Sequence, residues 1–442
     1  MNDRKPRRKP PPAGEFAATV IDLAQDGRGI ARVDGKVTFV EGGLPGERVR
    51  FRYTRMHRDT DEGEVVAVDA PSPDRVAPPC PHFGLCGGCA LQHLAPEAQV
   101  RFKEKQLLDA LLRVGKVEPD EVAAPITGPT VGYRRRARLG VKYVEKKGTA
   151  LVGFRERESP YLAALDTCAV LDPRVGAKLR ALGTCIAGLS IRSQVPQIEV
   201  ACAAPVALVI RTLSAPSDAD RAALAQFARE HDFHLYLQPG GPDSIVPMTP
   251  PAPRLDYAPD GGADRLRFQP TDFIQINERV AQQSVRQALE WLGVAPGQRV
   301  LELFCGLGNF SVPLARAGAR VTAVEGEAGL VARARENAED LGLSIDFHRA
   351  DLFLPQADAP WLAGPFDAVL LDPPRAGAEA ILPVVAKKKP SRIVYVSCHP
   401  GTLARDAGLL VHGARYRLVR AGVMDMFPHT AHVESMALFE RD

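Results

Sequence analysis

Beyond Arg267 the chain alternates between short apolar, β-prone runs and segments of helical composition, and few folds accommodate that alternation. Residues 298–304 form the first run and 321–325 the second, followed by a helical stretch through Asn337. Residues 344–347 lead to Ala350-Asp351, residues 366–371 run into Asp372-Pro373-Pro374, and residues 393–396 end at Ser397-Cys398-His399-Pro400. Strands separated by helices return to the same end of a sheet and pair in parallel. The expectation is a doubly wound, mostly parallel α/β sheet with ligands beyond the carboxyl ends of its strands. Cys398 ends one such strand. Most free cysteines are small buried hydrophobes, so from this stretch alone packing and chemistry weigh evenly.

After the first strand comes Cys305-Gly306-Leu307-Gly308-Asn309-Phe310. A Gly-x-Gly turn lets a ligand approach the backbone at a helix N-terminus. The third glycine of a dinucleotide fingerprint is missing, because Ser311 stands there. Glu325 ends the next strand, where a carboxylate accepts both hydroxyls of an adenosine ribose. Asp351 ends the third, where it can meet an adenine amine. Together these features resemble a class I, Rossmann-like S-adenosylmethionine-dependent methyltransferase; a plain dinucleotide-binding domain is the weaker alternative.

At Asp372-Pro373-Pro374-Arg375 two chemistries part. Similar Asp-Pro-Pro motifs occur in amino-group methyltransferases. The next strand end, however, carries Ser397-Cys398, and beyond it lies His429-Thr430-Ala431-His432-Val433-Glu434. Uracil C5 is a poor nucleophile. A thiolate adding to C6 turns C5 into an enolate-like carbon able to attack a methyl sulfonium. A base must then remove the C5 proton so that the cysteine is eliminated. One thiol and one carboxylate on neighbouring strand ends meet that need, and Cys398 and Glu434 supply them. Alone, Glu434 would read as a surface carboxylate.

The upstream half is organised differently. Residues 1–13 are charged, Pro-rich and aperiodic, and read as a disordered basic arm. Five short β-like runs follow between residues 17 and 68, two of them flanking the hairpin signal Asp34-Gly35, and suggest a small OB-type barrel over 14–71. Cys80, Cys86 and Cys89 fall within ten residues, among glycines that let the backbone wrap closely, and read as a metal site. Zinc would take a fourth thiolate or a histidine, and an iron–sulfur cluster a fourth thiolate. Cys168 is the candidate; Cys185 and Cys202 look like core residues. Residues 93–114 have helical composition with Leu107, Leu108, Leu111 and Leu112 on one side. From about 125 to 260 the chain is strand-rich, with residues 197–200 and 207–211 as strands.

The net charge is only +3, but the basic residues cluster. Besides the arm, one run holds Arg48, Arg50, Arg52, Arg55 and Arg58, and another Tyr133, Arg134, Arg135, Arg136 and Arg138. Guanidinium groups pair with phosphates and tyrosine stacks on bases, so a nucleic-acid partner is expected over a set of merely solvated faces. No apolar run approaches the roughly 20 residues that span a bilayer, and the N-terminus lacks a signal-peptide core. A cytosolic protein without membrane attachment is expected, its eight cysteines reduced, metal-bound or catalytic.

The ordered set Phe273-Ile274-Gln275-Ile276-Asn277, Leu303 to Phe310, Asp372-Pro373-Pro374-Arg375, Ser397-Cys398 and His432-Val433-Glu434 resembles the bacterial RNA uracil-C5 methyltransferase family over nearly the whole chain. The resemblance is closest to members acting on 23S rRNA. It implies a TRAM domain for the barrel and a [4Fe-4S] cluster on Cys80, Cys86, Cys89 and Cys168. It implies S-adenosylmethionine contacts from Gln275, Phe304, Asn309, Glu325, Asp351 and Asp372, with Cys398 as nucleophile and Glu434 as base. It also implies a central iron–sulfur and RNA-binding domain over 72–92 and 125–265, a catalytic domain over 93–124 and 266–442, and a monomeric enzyme. Where the family carries Asn after the cysteine, this chain has His399. Two other readings stand behind this one: the same chemistry on the tRNA T-loop, by relatives expected to lack the barrel and cysteine cluster, and a non-catalytic RNA-binding assembly protein.

Overall fold

The computed structural model describes residues 11–354 and 359–441; the basic arm expected over 1–13 lies, but for its last three residues, outside them. The chain divides into two compact units, Met1–Gly84 with Gly88–Phe102 and His429–Ala431, and Leu85–Gly87 with Lys103–Pro428 and His432–Asp442.

In the first unit the strands Phe16–Leu23, Gly29–Val33, Lys36–Glu41, Arg48–Met56 and Thr60–Ala70 close into a barrel. Asp34 and Gly35 both adopt positive φ, the geometry of a two-residue hairpin turn whose twist matches its strands. Alternate residues point inward, so Val20, Ala31, Val40, Val49 and Phe51 form the core. Burying each larger side chain of this kind contributes roughly 1.5–3 kcal/mol. Gly63 has no substitute, because an added Cβ would lie 2.5 Å from the Phe51 ring. Glu47, wholly buried, accepts from Nε and Nη2 of Arg75, at 2.5 and 2.7 Å. Further along, Leu91, Leu94 and Phe102 pack with Leu23 and Leu44.

The second unit holds two large sheets. One has six strands, in the order Val246–Pro247, Phe233–Gln238, Val206–Arg211, Gln197–Cys202, Arg136–Val144 and Thr149–Gly153. The helix Asp218–His231 packs on it, opened by a capping box in which Ser217 and Asp220 satisfy each other's backbone N–H. Reading this region as strand-rich overlooks that helix.

The other sheet has eight strands, ordered Asp346–Arg349, Arg320–Glu325, Arg299–Leu303, Ala368–Leu371, Arg392–Ser397, Glu434–Arg441, Tyr416–Met424 and Glu121–Val122. The first five run parallel, as expected from the β-α-β alternation. Their central members are buried on both faces, which is why they read as unbroken apolar runs. Strand order reverses between Arg299–Leu303 and Ala368–Leu371, opening a crevice beyond their carboxyl ends. Glu434–Arg441 runs antiparallel to Arg392–Ser397, so its first residue meets the last of its neighbour. At the far edge Glu121–Val122 pairs with Arg420 and Ala421.

Candidate active site

The site lies at the strand ends beside the crevice. Phe304, directly after Leu303, takes φ 65°, a left-handed conformation costly for a side-chain-bearing residue, and turns the chain out of the sheet. Gly306 and Gly308 continue the turn with φ 55° and 90°. The Glu325 carboxylate accepts from the N–H groups of Gly306 (3.1 Å), Gly326 (2.7 Å) and Glu327 (3.0 Å), pinning the turn to the neighbouring strand. From below, Glu302 accepts a hydrogen bond from Ser311 Oγ at the start of the helix Ser311–Arg316. Glu302 is completely buried, and its Oε1 has no hydrogen-bond partner among the described residues. Burial, strengthened by repulsion from Asp372, pushes its carboxyl up to about 8. Sequence reasoning missed Glu302, although an acid inside Val300-Leu301-Glu302-Leu303 is a visible anomaly.

The turn opens on a cavity of about 700 Å³, a size suited to a cofactor with one nucleobase-like substrate group. All eight residues expected to serve cofactor and chemistry line it: Gln275, Phe304, Asn309, Glu325, Asp351, Asp372, Cys398 and Glu434. Phe304 and Phe353 make an aromatic wall with ring centroids 5.8 Å apart. Phe273, two-thirds exposed and part of the Phe273–Asn277 motif, and Tyr257, which no motif singled out, contribute two further rings. Asn309 Oδ1 accepts from the Tyr257 hydroxyl at 3.4 Å, and the Arg135 guanidinium lies over the Tyr257 ring at 5.1 Å. Arg135 also donates to Gln275 O at 2.8 Å and pairs with Glu278 at 2.8 Å, so it fixes the loop that presents Gln275.

This revises the reading of the Arg134–Arg138 run as a phosphate-binding face. Arg135 is 93% buried at its side chain, and Arg136 is spent on Glu199 and on the carbonyls of Val200, Thr271 and Asp272. Of these residues, Arg138 keeps most of its side chain in solvent. The groups that claim Arg135, and most of those that claim Arg136, lie 60 or more positions away along the chain, out of sight of a local charge count.

At the reacting end, Ser397 pairs with Ser435, which sets Cys398 beside Glu434. Burial, then the charges of Glu434 and Asp372, push the Cys398 thiol up to about 11. Burial and the Glu325 charge raise Asp372 to about 7. Glu434 is pushed well above the ordinary range by burial and by Asp372, while Lys103 and Arg375 draw it back. Acidic groups that resist ionising beside one another favour a cationic ligand, whose charge lets them ionise. His399 is not a cavity residue: its Nδ1 accepts from Thr402 N at 3.2 Å and caps the helix Pro400–Ala414. A short side chain such as Asn commonly fills that N-cap role, so the replacement keeps the cap.

Cys80, Cys86, Cys89 and Cys168 are partly buried, and Cys86 and Cys168 both pack against the core beneath the six-stranded sheet. Cys202 is buried and Cys185 packs on the same core, as expected of structural cysteines. Among the described residues no group of three or more His, Cys, Asp or Glu is placed to hold a metal ion. Likewise no helix among them is long and apolar enough to cross a membrane.

The parallel sheet, glycine turn and acidic strand ends define a class I methyltransferase domain. Residues 300–374 match the methyltransferase domain family, 361–442 the tRNA (uracil-5-)-methyltransferase family and 15–74 the TRAM domain. The chain is 54% identical over 439 residues to the 23S rRNA (uracil(1939)-C(5))-methyltransferase RlmD of Alkalilimnicola ehrlichii, covering 99% of both, and 50% identical over 438 residues to that of Methylococcus capsulatus, covering 98% of this chain and 99% of that one. It therefore belongs to the 23S rRNA (uracil-C5)-methyltransferase family. Among solved structures, the tRNA (uracil-54, C5)-methyltransferase of Pyrococcus abyssi in complex with S-adenosyl-L-homocysteine superposes with a TM-score of 0.71 at 25% identity, covering 96% of this chain and 99% of that one. A match so extensive leaves no room for that tRNA enzyme to lack the barrel. The expectation that tRNA-acting relatives do so is corrected, and the barrel does not tell the two substrates apart.

Proposed function

We propose that this chain methylates C5 of a uridine in 23S rRNA, with S-adenosylmethionine as donor. The relatives at 50% identity and above, matched from end to end, carry that name and support rRNA over tRNA. The observation that carries the chemistry is the antiparallel register that sets Cys398 beside Glu434 on the wall of the cavity. An amino-group methyltransferase with the Asp372-Pro373-Pro374 motif needs neither. A non-catalytic assembly protein would not need to keep both.

Glu325 and Asp351 are assigned to the adenosine end of the cofactor, Gln275, Phe304 and Asn309 to its flanks, and Asp372 to the reacting end. When bound, the cofactor supplies an electrophilic methyl group on a cationic sulfur. Cys398 adds as thiolate to uracil C6, and the electron pair gathered at C5 forms the new C–CH₃ bond as the methyl–sulfur bond breaks, its pair staying on sulfur to leave neutral S-adenosylhomocysteine. Glu434 then takes the C5 proton; the C–H electrons restore the C5–C6 double bond and expel the Cys398 thiolate. The same acids that raise the thiol in the cofactor-free protein are offset once a cation sits among them.

The finer assignment of a [4Fe-4S] cluster to Cys80, Cys86, Cys89 and Cys168 rests on the resemblance and on donor chemistry, since four thiolates suit iron–sulfur. No catalytic step passes through it. The deciding experiment for the function is a methylation assay on rRNA and tRNA from a strain lacking this protein. Incorporation at one uridine of 23S rRNA is the expected result; incorporation into tRNA alone would overturn the substrate assignment.

A further inference from the structure

One residue past the strand partner of Glu434 lies a buried charge pair. Lys103, on the helix Pro96–Ala110, has a side chain only 1% exposed, and its ammonium donates to Asp425 Oδ1 at 2.6 Å and to Phe427 O at 2.9 Å. Asp425 is equally hidden, at 4%, and its backbone N–H is held by Ile126 O at 2.8 Å. Asp425 directly follows Met424, the register partner of Glu434. A buried ion pair is a poor source of stability, since apolar residues of similar volume often do as well or better. Its position next to a carboxylate that must accept a proton gives it another use.

We propose that Lys103 is a positioning residue for proton removal: its fixed ammonium, anchored by Asp425, opposes the burial that holds a proton on Glu434 and so favours the carboxylate form that takes the C5 proton. This rests on the reading of Glu434 as the base. The groups facing Glu434 divide by sign. Asp372 and the Cys398 thiolate oppose its charge, while Lys103 and Arg375 favour it. Arg375 is exposed, whereas Lys103 is immobilised by two hydrogen bonds in a site without solvent screening. Burial works against the Lys103 proton, and Asp425 and Glu434 both hold it there. His432 is pushed down by burial, then by Arg375, Lys103 and Arg134, so a neutral imidazole contributes no second positive charge. In the step concerned, the Glu434 carboxylate takes H5, the C–H pair becomes the C5–C6 double bond, and the C6–S bond breaks to return the Cys398 thiolate.

The test uses full-length protein and unmodified 23S rRNA labelled with tritium at uracil C5, so that tritium release reads proton removal separately from methyl transfer. In Lys103→Met, tritium release at pH 7 should fall about tenfold, the worth of one pKa unit, while the denaturant-resistant adduct accumulates. Raising the pH to 9 should restore release. Lys103→Arg should stay close to wild type. Binding of S-adenosylhomocysteine shows that a variant is folded, and if Lys103→Met fails that check, Asp425→Asn, which strips the lysine of its counter-ion, should give the same signature. Release and methyl transfer falling together without recovery at high pH, or an unchanged pH profile, overturns the proposal. Glu434→Gln run alongside separates the two ideas. If it traps adduct and the Lys103 and Asp425 variants do not, only the role of Lys103 falls; if it releases tritium normally, the base assignment falls and takes Lys103 with it.

Discussion

Ser397 and Ser435 are paired residues of one antiparallel ladder, and that register sets Cys398, which follows the first, against Glu434, which precedes the second. A slip of one residue would turn one of the two side chains to the opposite face of the sheet. Because the mechanism gives the two residues different steps, their variants should fail differently. Cys398→Ala should form neither methylated RNA nor a covalent complex. Glu434→Gln keeps the shape but cannot take the C5 proton, so release should slow by roughly 10²–10⁴ and leave methylated RNA joined to Cys398. Denaturing electrophoresis distinguishes them by a protein–RNA band present only in the second. RNA containing 5-fluorouracil should trap the wild type likewise, since fluorine cannot leave as a cation. Near-normal C5 methylation by Cys398→Ala would refute the thiolate mechanism.

The charge environment of Cys398 makes a second prediction. With the thiol pushed up to about 11, alkylation of Cys398 by iodoacetamide in cofactor-free protein should keep rising from pH 7 to 10 without levelling. Adding S-adenosylmethionine, whose sulfonium is positive, should speed alkylation at pH 8 more than neutral S-adenosylhomocysteine does. Mass mapping of the modified peptide reads the rate at this cysteine alone. A plateau near pH 8 in the free protein would mean that the acids around it do not act as described.

Much of this site was legible because strand ends announce themselves. The change from apolar to polar or glycine at Cys305-Gly306, Leu371-Asp372 and Val396-Ser397 marks where strands end at the crevice, and the five parallel strands follow from the same alternation. What stayed hidden depends on contacts distant in sequence. Nothing local shows that Arg136 is claimed by Glu199, that Lys103 meets Asp425, or that Glu121–Val122 pairs with a strand 299 residues later. The helix Asp218–His231 is a different kind of miss, since Ser217-x-x-Asp220 is a local cap signal that a strand-rich reading passed over.

Glu302 links the site to stability. Its carboxyl is raised to about 8 in the folded protein, against about 4.5 when unfolded. The folded state therefore holds a proton that the unfolded chain gives up, and stability falls as pH rises from about 4.5 to about 8. The loss is on the order of a few kcal/mol, the scale of a shift of this size. Thermal unfolding should occur at a lower temperature at pH 8.5 than at pH 5.5, and Glu302→Gln should narrow that gap by removing the titration. A gap of the same width in Glu302→Gln would place the pH dependence elsewhere.

The cysteines provide the last prediction. Cys80, Cys86, Cys89 and Cys168 are only partly buried, whereas Cys202 and Cys305 are buried and their thiols are raised by burial, to about 12 in Cys202. Buried cysteines of this kind are structural as a rule, which singles out the partly buried set. Cys185 is the internal control: it too is partly buried, but it packs on the core with its thiol raised to about 11, again mainly by burial. Protein purified without oxygen should be brown and carry about four irons per chain. Cys→Ser at any of the four should lose the colour and the iron, and Cys185→Ser should keep both. Stoichiometric zinc would replace the iron–sulfur assignment with a structural zinc site. Iron retained in Cys168→Ser but lost in Cys185→Ser would move the fourth ligand to Cys185.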